Sequence, residues 1–187
     1  MKTWVNFFAY EAVWFVTVYA AGRNLSWPGV LSALLFAGVQ WVYSGRAVRM
    51  LDARLVGVAL LLGMILDGTL AATDLVRYTP SSPALPGGAP LWMLALWASF
   101  ALTLNHSLRW LRGRSVSGAL LGAIGGPFAY LSASRLAGVA LLVPPNWRAV
   151  ACLALGWSAA LGLLSYLAGR WARGLARAPP LLGRLAP

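Results

Sequence analysis

Three of the four acidic residues, Glu11, Asp67 and Asp74, and the single histidine, His106, lie inside long apolar runs. A charge at mid-bilayer costs about 3 kcal/mol on insertion scales, so an ionisable group in such a run is a functional candidate by default. A carboxylate near an imidazole can pass a proton close to neutral pH. Glu11 lies seven residues past Trp4, roughly 10 Å deep at the helical rise. Asn105 and His106 lie three and two residues before Leu108, where their run ends, roughly 3–5 Å deep. Asn6 is shallower than Glu11 on the same run. These depths predict one polar cluster of Asn6, Glu11, Asn105 and His106. In it Glu11 and His106 would be the catalytic pair, exchanging a proton, while Asn105 orients a ligand.

Asp67 falls near mid-depth of its own run, and Asp74, seven residues on, shares its helical face. Arg135 is expected at the depth of Asp74, and the two would neutralise each other as a structural pair. Gly125-Gly126-Pro127 predicts a helix break, because proline removes a backbone donor and glycine permits close approach. Tyr130 follows about one turn later and offers a hydroxyl. Asp67 and the break would form the inner wall of a pocket in which Asn6, Asp67, Asn105 and Tyr130 bind a ligand, a geometry that transporters use and that also serves plain packing.

Other chemistries find no residues. One histidine allows neither an HExxH pair nor a multi-histidine iron site, and there is no GxSxG elbow, P-loop or dinucleotide fingerprint. Ser107 adjoins His106, and adjacent helical residues do not face each other. Cys152 is the single cysteine, which excludes an internal disulfide or a CxxC knuckle. Neither a metal nor a cofactor is expected.

The elements that must position these groups follow from composition. Of 187 residues, 60% are hydrophobic and 10% charged, far too few charges to cover a soluble domain. Six runs are long enough to cross a bilayer: about Trp4–Ala21, Pro28–Ser44, Leu55–Val76, Leu91–Leu108, Val116–Ser134 and Ala149–Ala168. Leu136–Val143 is a further short apolar stretch of undecided conformation. The first run holds Asn6 and Glu11 and is aromatic, so it reads as a retained helix and not a cleaved signal peptide. The expected fold is all-α, a six-helix transmembrane bundle over residues 1–169 followed by a basic cytoplasmic tail, 170–187. Two proline-started hairpins, from Pro28 and Pro90, give a weak hint of duplication.

The formal net charge of +11 would ordinarily suggest a nucleic-acid partner. Its distribution says otherwise. Six spans place Lys2, Arg46, Arg49, Arg54, Arg109, Arg112, Arg114, Arg170, Arg173, Arg177 and Arg184 on one side. Arg23, Arg77 and Arg148 fall opposite. The positive-inside rule makes the richer side cytoplasmic, with both termini inside, and anionic headgroups account for the rest of the bias. Trp4, Trp27, Trp41, Trp92, Trp110, Trp147 and Trp171 lie near run ends, as an interfacial belt requires. Membrane lipids and a membrane-protein partner are the expected associations; nucleic acid is not.

The stretch LWMLALWASFALTLNHSLRWL at Leu91–Leu111 and LGAIGGPFAYLS at Leu121–Ser132 resemble an uncharacterised bacterial multi-pass family, domain of unknown function 2878. Asn6-Phe7-Phe8, Trp14 and LLLGMILDG ending at Gly68 fit the same pattern. The resemblance covers about residues 4–170 and carries over Asn6, Asp67, Trp97, Asn105, His106, Trp110, Gly126, Pro127 and Tyr130. Glu11 is not among them. It implies a small inner-membrane protein with no assigned activity, and its members' gene neighbourhoods imply a role in fatty-acid or membrane-lipid modification. The expected function is therefore an accessory or enzyme-like protein of membrane-lipid metabolism. The alternatives are a small-solute or proton-linked transporter and a structural subunit of a membrane complex.

Overall fold

The computed structural model describes residues 3–85 and 88–177. Among these, six helices carry the fold: α1 Thr3–Gly22, α2 Trp27–Tyr43, α3 Arg46–Ala72, α4 Leu91–Ala101, α5 Ser115–Ala137 and α6 Asn146–Arg177. Two-residue strands β1, Val76–Arg77, and β2, Leu141–Leu142, pair antiparallel. Leu136–Val143 is thereby resolved into the end of α5, a turn at Gly138 in the left-handed region, and a strand.

Three helices, α3, α5 and α6, are long and apolar enough to cross a membrane; α2 and α4 are shorter apolar helices. The third run starts earlier than its apolar residues suggest. It begins at Arg46, so Asp52, expected in a loop, is two turns inside α3 and buried. The fourth run is helical only over the 11 residues of α4, about 16 Å of rise and half of a hydrocarbon core. From Leu102 to Leu108 the chain forms turns, then a 3-10 turn at Arg109–Leu111. The final helix passes through Gly169-Arg170 without interruption to Arg177, so no structural boundary separates bundle from tail there. Lys2 and the rest of the tail, 178–187, lie outside the described residues.

The expected helix break is absent. α5 continues through Gly125, Gly126 and Pro127 as one helix, because what precedes the proline packs against a neighbour instead of opening. Gly118, Gly122 and Gly126 recur every four residues on one face of α5. A Cβ at Gly118 would run into Ser165 and Leu161 of α6, and one at Gly122 or Gly126 into Trp157. This is a small-xxx-small stripe, which lets two helix backbones approach and gain dispersion contact where lipid gives no hydrophobic drive. At the far end of α6, Gly169 packs on the backbone of Gly113, and the Gly113 N–H donates to the Ser165 carbonyl.

Exposure of the aromatic residues sorts the expected belt. Trp4, Trp27, Trp41, Trp110 and Trp147 are more than half exposed. Trp92 is fully buried, because its Nε1 donates to the Pro80 carbonyl at 2.8 Å in the loop between α3 and α4.

Candidate functional site

Two polar clusters and one cleft hold the candidate polar residues other than Asp74 and Arg135. The first cluster centres on Asp67, which is 0% exposed. Tyr78 Oη donates to its Oδ1 at 2.6 Å and Trp97 Nε1 to its Oδ2 at 2.6 Å. Tyr130 Oη also donates to Oδ1. Buried carboxylates require this kind of partnering, since an unpaired one loses its hydration with nothing in return. Gly63, one turn before Asp67 on the same face, makes it possible: a Cβ there would meet the Trp97 ring at 2.6 Å. The Trp97 ring in turn stacks on Trp157 at 4.1 Å, with an 11° interplanar angle. One carboxylate thus ties α3 to α4, α5 and the loop after β1. The expected company of Asp67 and Tyr130 is present, with Tyr78 and Trp97 added. Trp97 was visible as a motif residue; Tyr78 sits in a polar loop and gave no signal.

The second cluster pins the turn at 102–108. Asn105 Nδ2 donates to Asp52 Oδ1 at 2.7 Å, and His106 Nε2 lies 3.0 Å from Asp52 Oδ2. Asn6 Oδ1 accepts from the Ser107 backbone N–H at 3.1 Å and from Ser107 Oγ at 2.6 Å. Arg112 Nη2 donates to the Asn105 carbonyl at 2.9 Å. Burial lowers the pKa of the Arg112 guanidinium, while the nearby Asp52 charge opposes the shift. Irregular backbone needs partners for its buried polar groups, and here Asn6 takes the Ser107 N–H and Arg112 the Asn105 carbonyl.

The pairing of Glu11 with His106 is corrected. His106 faces Asp52, and Glu11 points instead into a cleft. Asn6 does join the turn that carries Asn105 and His106, through Ser107. Asp52 was missed because hydropathy starts the third run at Leu55; the i+4 stripe Leu55, Ala59, Gly63, Asp67 extends back to Leu51 beside it. The pairing of Asp74 with Arg135 is corrected too. Asp74 forms a two-bond ion pair with Arg77, at 2.7 and 2.8 Å. Both are exposed, and Arg77 holds the Asp74 carboxyl below its ordinary value. Arg135 is exposed on the last turn of α5. α3 ends at Ala72, so Asp74 is in a loop with φ of 52° and no longer shares the Asp67 face.

The cleft has a volume of about 380 Å³ and lies between α1 and α5, with α4, α6 and the 102–108 turn behind it. Phe7, Tyr10, Glu11 and Trp14 form one wall, and Gly122, Gly125, Gly126 and Phe128 the other. Phe100, Trp157 and Leu161 form its floor, with Thr103 and Ser107 toward one end. Size and lining are those of a small-molecule site, mostly apolar with a few polar groups. Gly125 is the part of α5 that the stripe leaves free: a Cβ there meets nothing within 4 Å. Among the described residues no group of three or more His, Cys, Asp or Glu is placed to hold a metal ion.

The family described as "Protein of unknown function (DUF2878)" matches residues 3–171. The chain belongs to that family. No curated protein and no solved structure matches it.

Proposed function

We propose that this chain is a bacterial inner-membrane protein of six spans, with both termini cytoplasmic, that holds a lipidic hydrocarbon chain. It would serve membrane-lipid or fatty-acid metabolism as an accessory or enzyme-like protein. The observation that carries the reading is the cleft between α1 and α5, aromatic and glycine-lined, on a protein whose helices suit a bilayer. The excess of arginine at the α2–α3 and α4–α5 connections supports the orientation. The Asp52–His106 pair holds the turn that closes the cleft at the same end as those arginines. The transporter reading has less support, since protein donors already occupy both Asp67 oxygens.

Native mass spectrometry of the protein extracted in mild detergent tests the proposal. Wild type should retain a hydrocarbon-chain adduct. Gly125→Trp, which fills the cleft without displacing α6, should lose it. Equal adducts on both proteins would refute the site. Reporter fusions at the C-terminus test the orientation: a cytoplasmic reporter should be active and a periplasmic one silent.

A further inference from the structure

We infer that the cleft selects an amphiphile whose head group donates hydrogen bonds and carries no negative charge. The inference rests on the reading of the cleft as a lipid site and adds the class of ligand. Among the described residues that line it, Glu11 is the one ionisable at neutral pH, and neither Lys, Arg nor His is present. An anionic head, phosphate or carboxylate, would face Glu11 with no cation to offset it, and like charges brought together out of water repel strongly.

The hydroxyl groups sharpen the choice. Ser107 Oγ already donates its hydrogen to Asn6 Oδ1, and Thr103 Oγ1 donates to the Phe100 carbonyl at 2.6 Å. A hydroxyl has one hydrogen, so both offer the cleft only lone pairs. The Glu11 carboxylate, which accepts only, lines the same apolar slot. The lining also carries neutral donors, the Tyr10 phenol, the Trp14 indole and the Trp157 Nε1, which is buried without an acceptor among the described residues; none of them brings a positive charge to offset an anion. A hydroxyl or a protonated amine at the end of a single chain gives the Glu11 carboxylate a donor and brings no like charge. A carboxylate covered by a ligand that offers no donor would lose hydration with nothing in return.

Photoreactive probes of one chain length with hydroxyl, amine, carboxylate or phosphate heads test the inference on the full chain in nanodiscs. The hydroxyl and amine probes should label peptides of α1 and α5 at least about tenfold above the two anionic ones. Glu11→Gln should raise labelling by the carboxylate probe and lower that by the amine, while sparing the hydroxyl. Gly125→Trp should abolish all specific labelling. An anionic probe that matches or exceeds the others, or a ranking that Glu11→Gln leaves unchanged, overturns the head-group inference alone. Absence of labelling by every probe, labelling that persists in Gly125→Trp, or a dimer closed through α1 and α5 that excludes all four overturns the cleft reading beneath it.

Discussion

Asp67 and Asp74 lie seven residues apart and meet opposite fates, which shows what surroundings do to one functional group. Asp67 is enclosed and holds three donors; Asp74 is exposed and holds one arginine. Asp67→Ala would strand three buried donors, each worth about 1–3 kcal/mol when left unpartnered. We expect a large fall in the melting temperature in detergent, read by far-ultraviolet circular dichroism, with Tyr130→Phe costing only about 1 kcal/mol. Asp74→Ala should leave the melting temperature unchanged, because an exposed pair is screened by solvent. Its pH signature has a definite sign. The folded carboxyl sits below its ordinary value, so its small contribution is complete at neutral pH and fades as pH falls through that lowered value. A melting temperature followed from pH 7 downward should therefore differ little between Asp74→Ala and wild type, least of all in acid. Asp52→Ala should act locally, leaving Asn105 and His106 without their acceptor. Hydrogen exchange should accelerate at 102–108 more than in α6.

At the scale of elements, the decisive contrast lies within α5. Gly122, Gly125 and Gly126 look alike in sequence, yet only Gly125 faces open space. Gly125→Ala should be neutral or stabilise by up to about 1 kcal/mol, the helix-propensity difference. Gly126→Ala should destabilise by about 1–3 kcal/mol, since its methyl overlaps the Trp157 ring and must push α6 away. Thermal melts of the two single variants give the comparison, and equal effects would refute the assigned faces. Gly63→Ala makes the same point on α3, where the displaced indole of Trp97 would lose Asp67. The half-length α4 belongs here as well. A helix of 11 residues leaves carbonyls unpaired at its end, and the chain can stop there because Asn6, Asp52 and Arg112 converge on the turn that follows.

For the whole molecule, hydropathy set the helical, apolar class, and packing set the site. Six apolar runs anticipated six helices, and the family resemblance held from residue 3 to residue 171. Asn6, Asp67, Asn105, His106 and Tyr130 all proved to be polar groups with specific partners. Their partners were less legible. Depth along an axis gives one coordinate, whereas a hydrogen bond needs rotation and tilt as well. The depth difference between Glu11 and His106 was one that side chains could close, yet the two diverge in direction. Asp74 and Arg135 were matched on a helix that ends before Asp74. Pro127 signals a missing donor in any sequence, but whether the helix opens depends on the α6 face it meets.

The sequence by itself determined that apolar helices bury few ionisable groups and that the basic residues gather at one set of connections. Composition and linear order are enough for that, because the free energy of transfer into hydrocarbon is local to each residue. Only the tertiary structure decided that His106 answers to Asp52, that Asp67 holds three helices together, and that Glu11 is left facing a cleft. Those outcomes depend on which helix faces meet, and that is settled by the close approach which glycine stripes allow and by the cost of leaving a buried polar group unpaired.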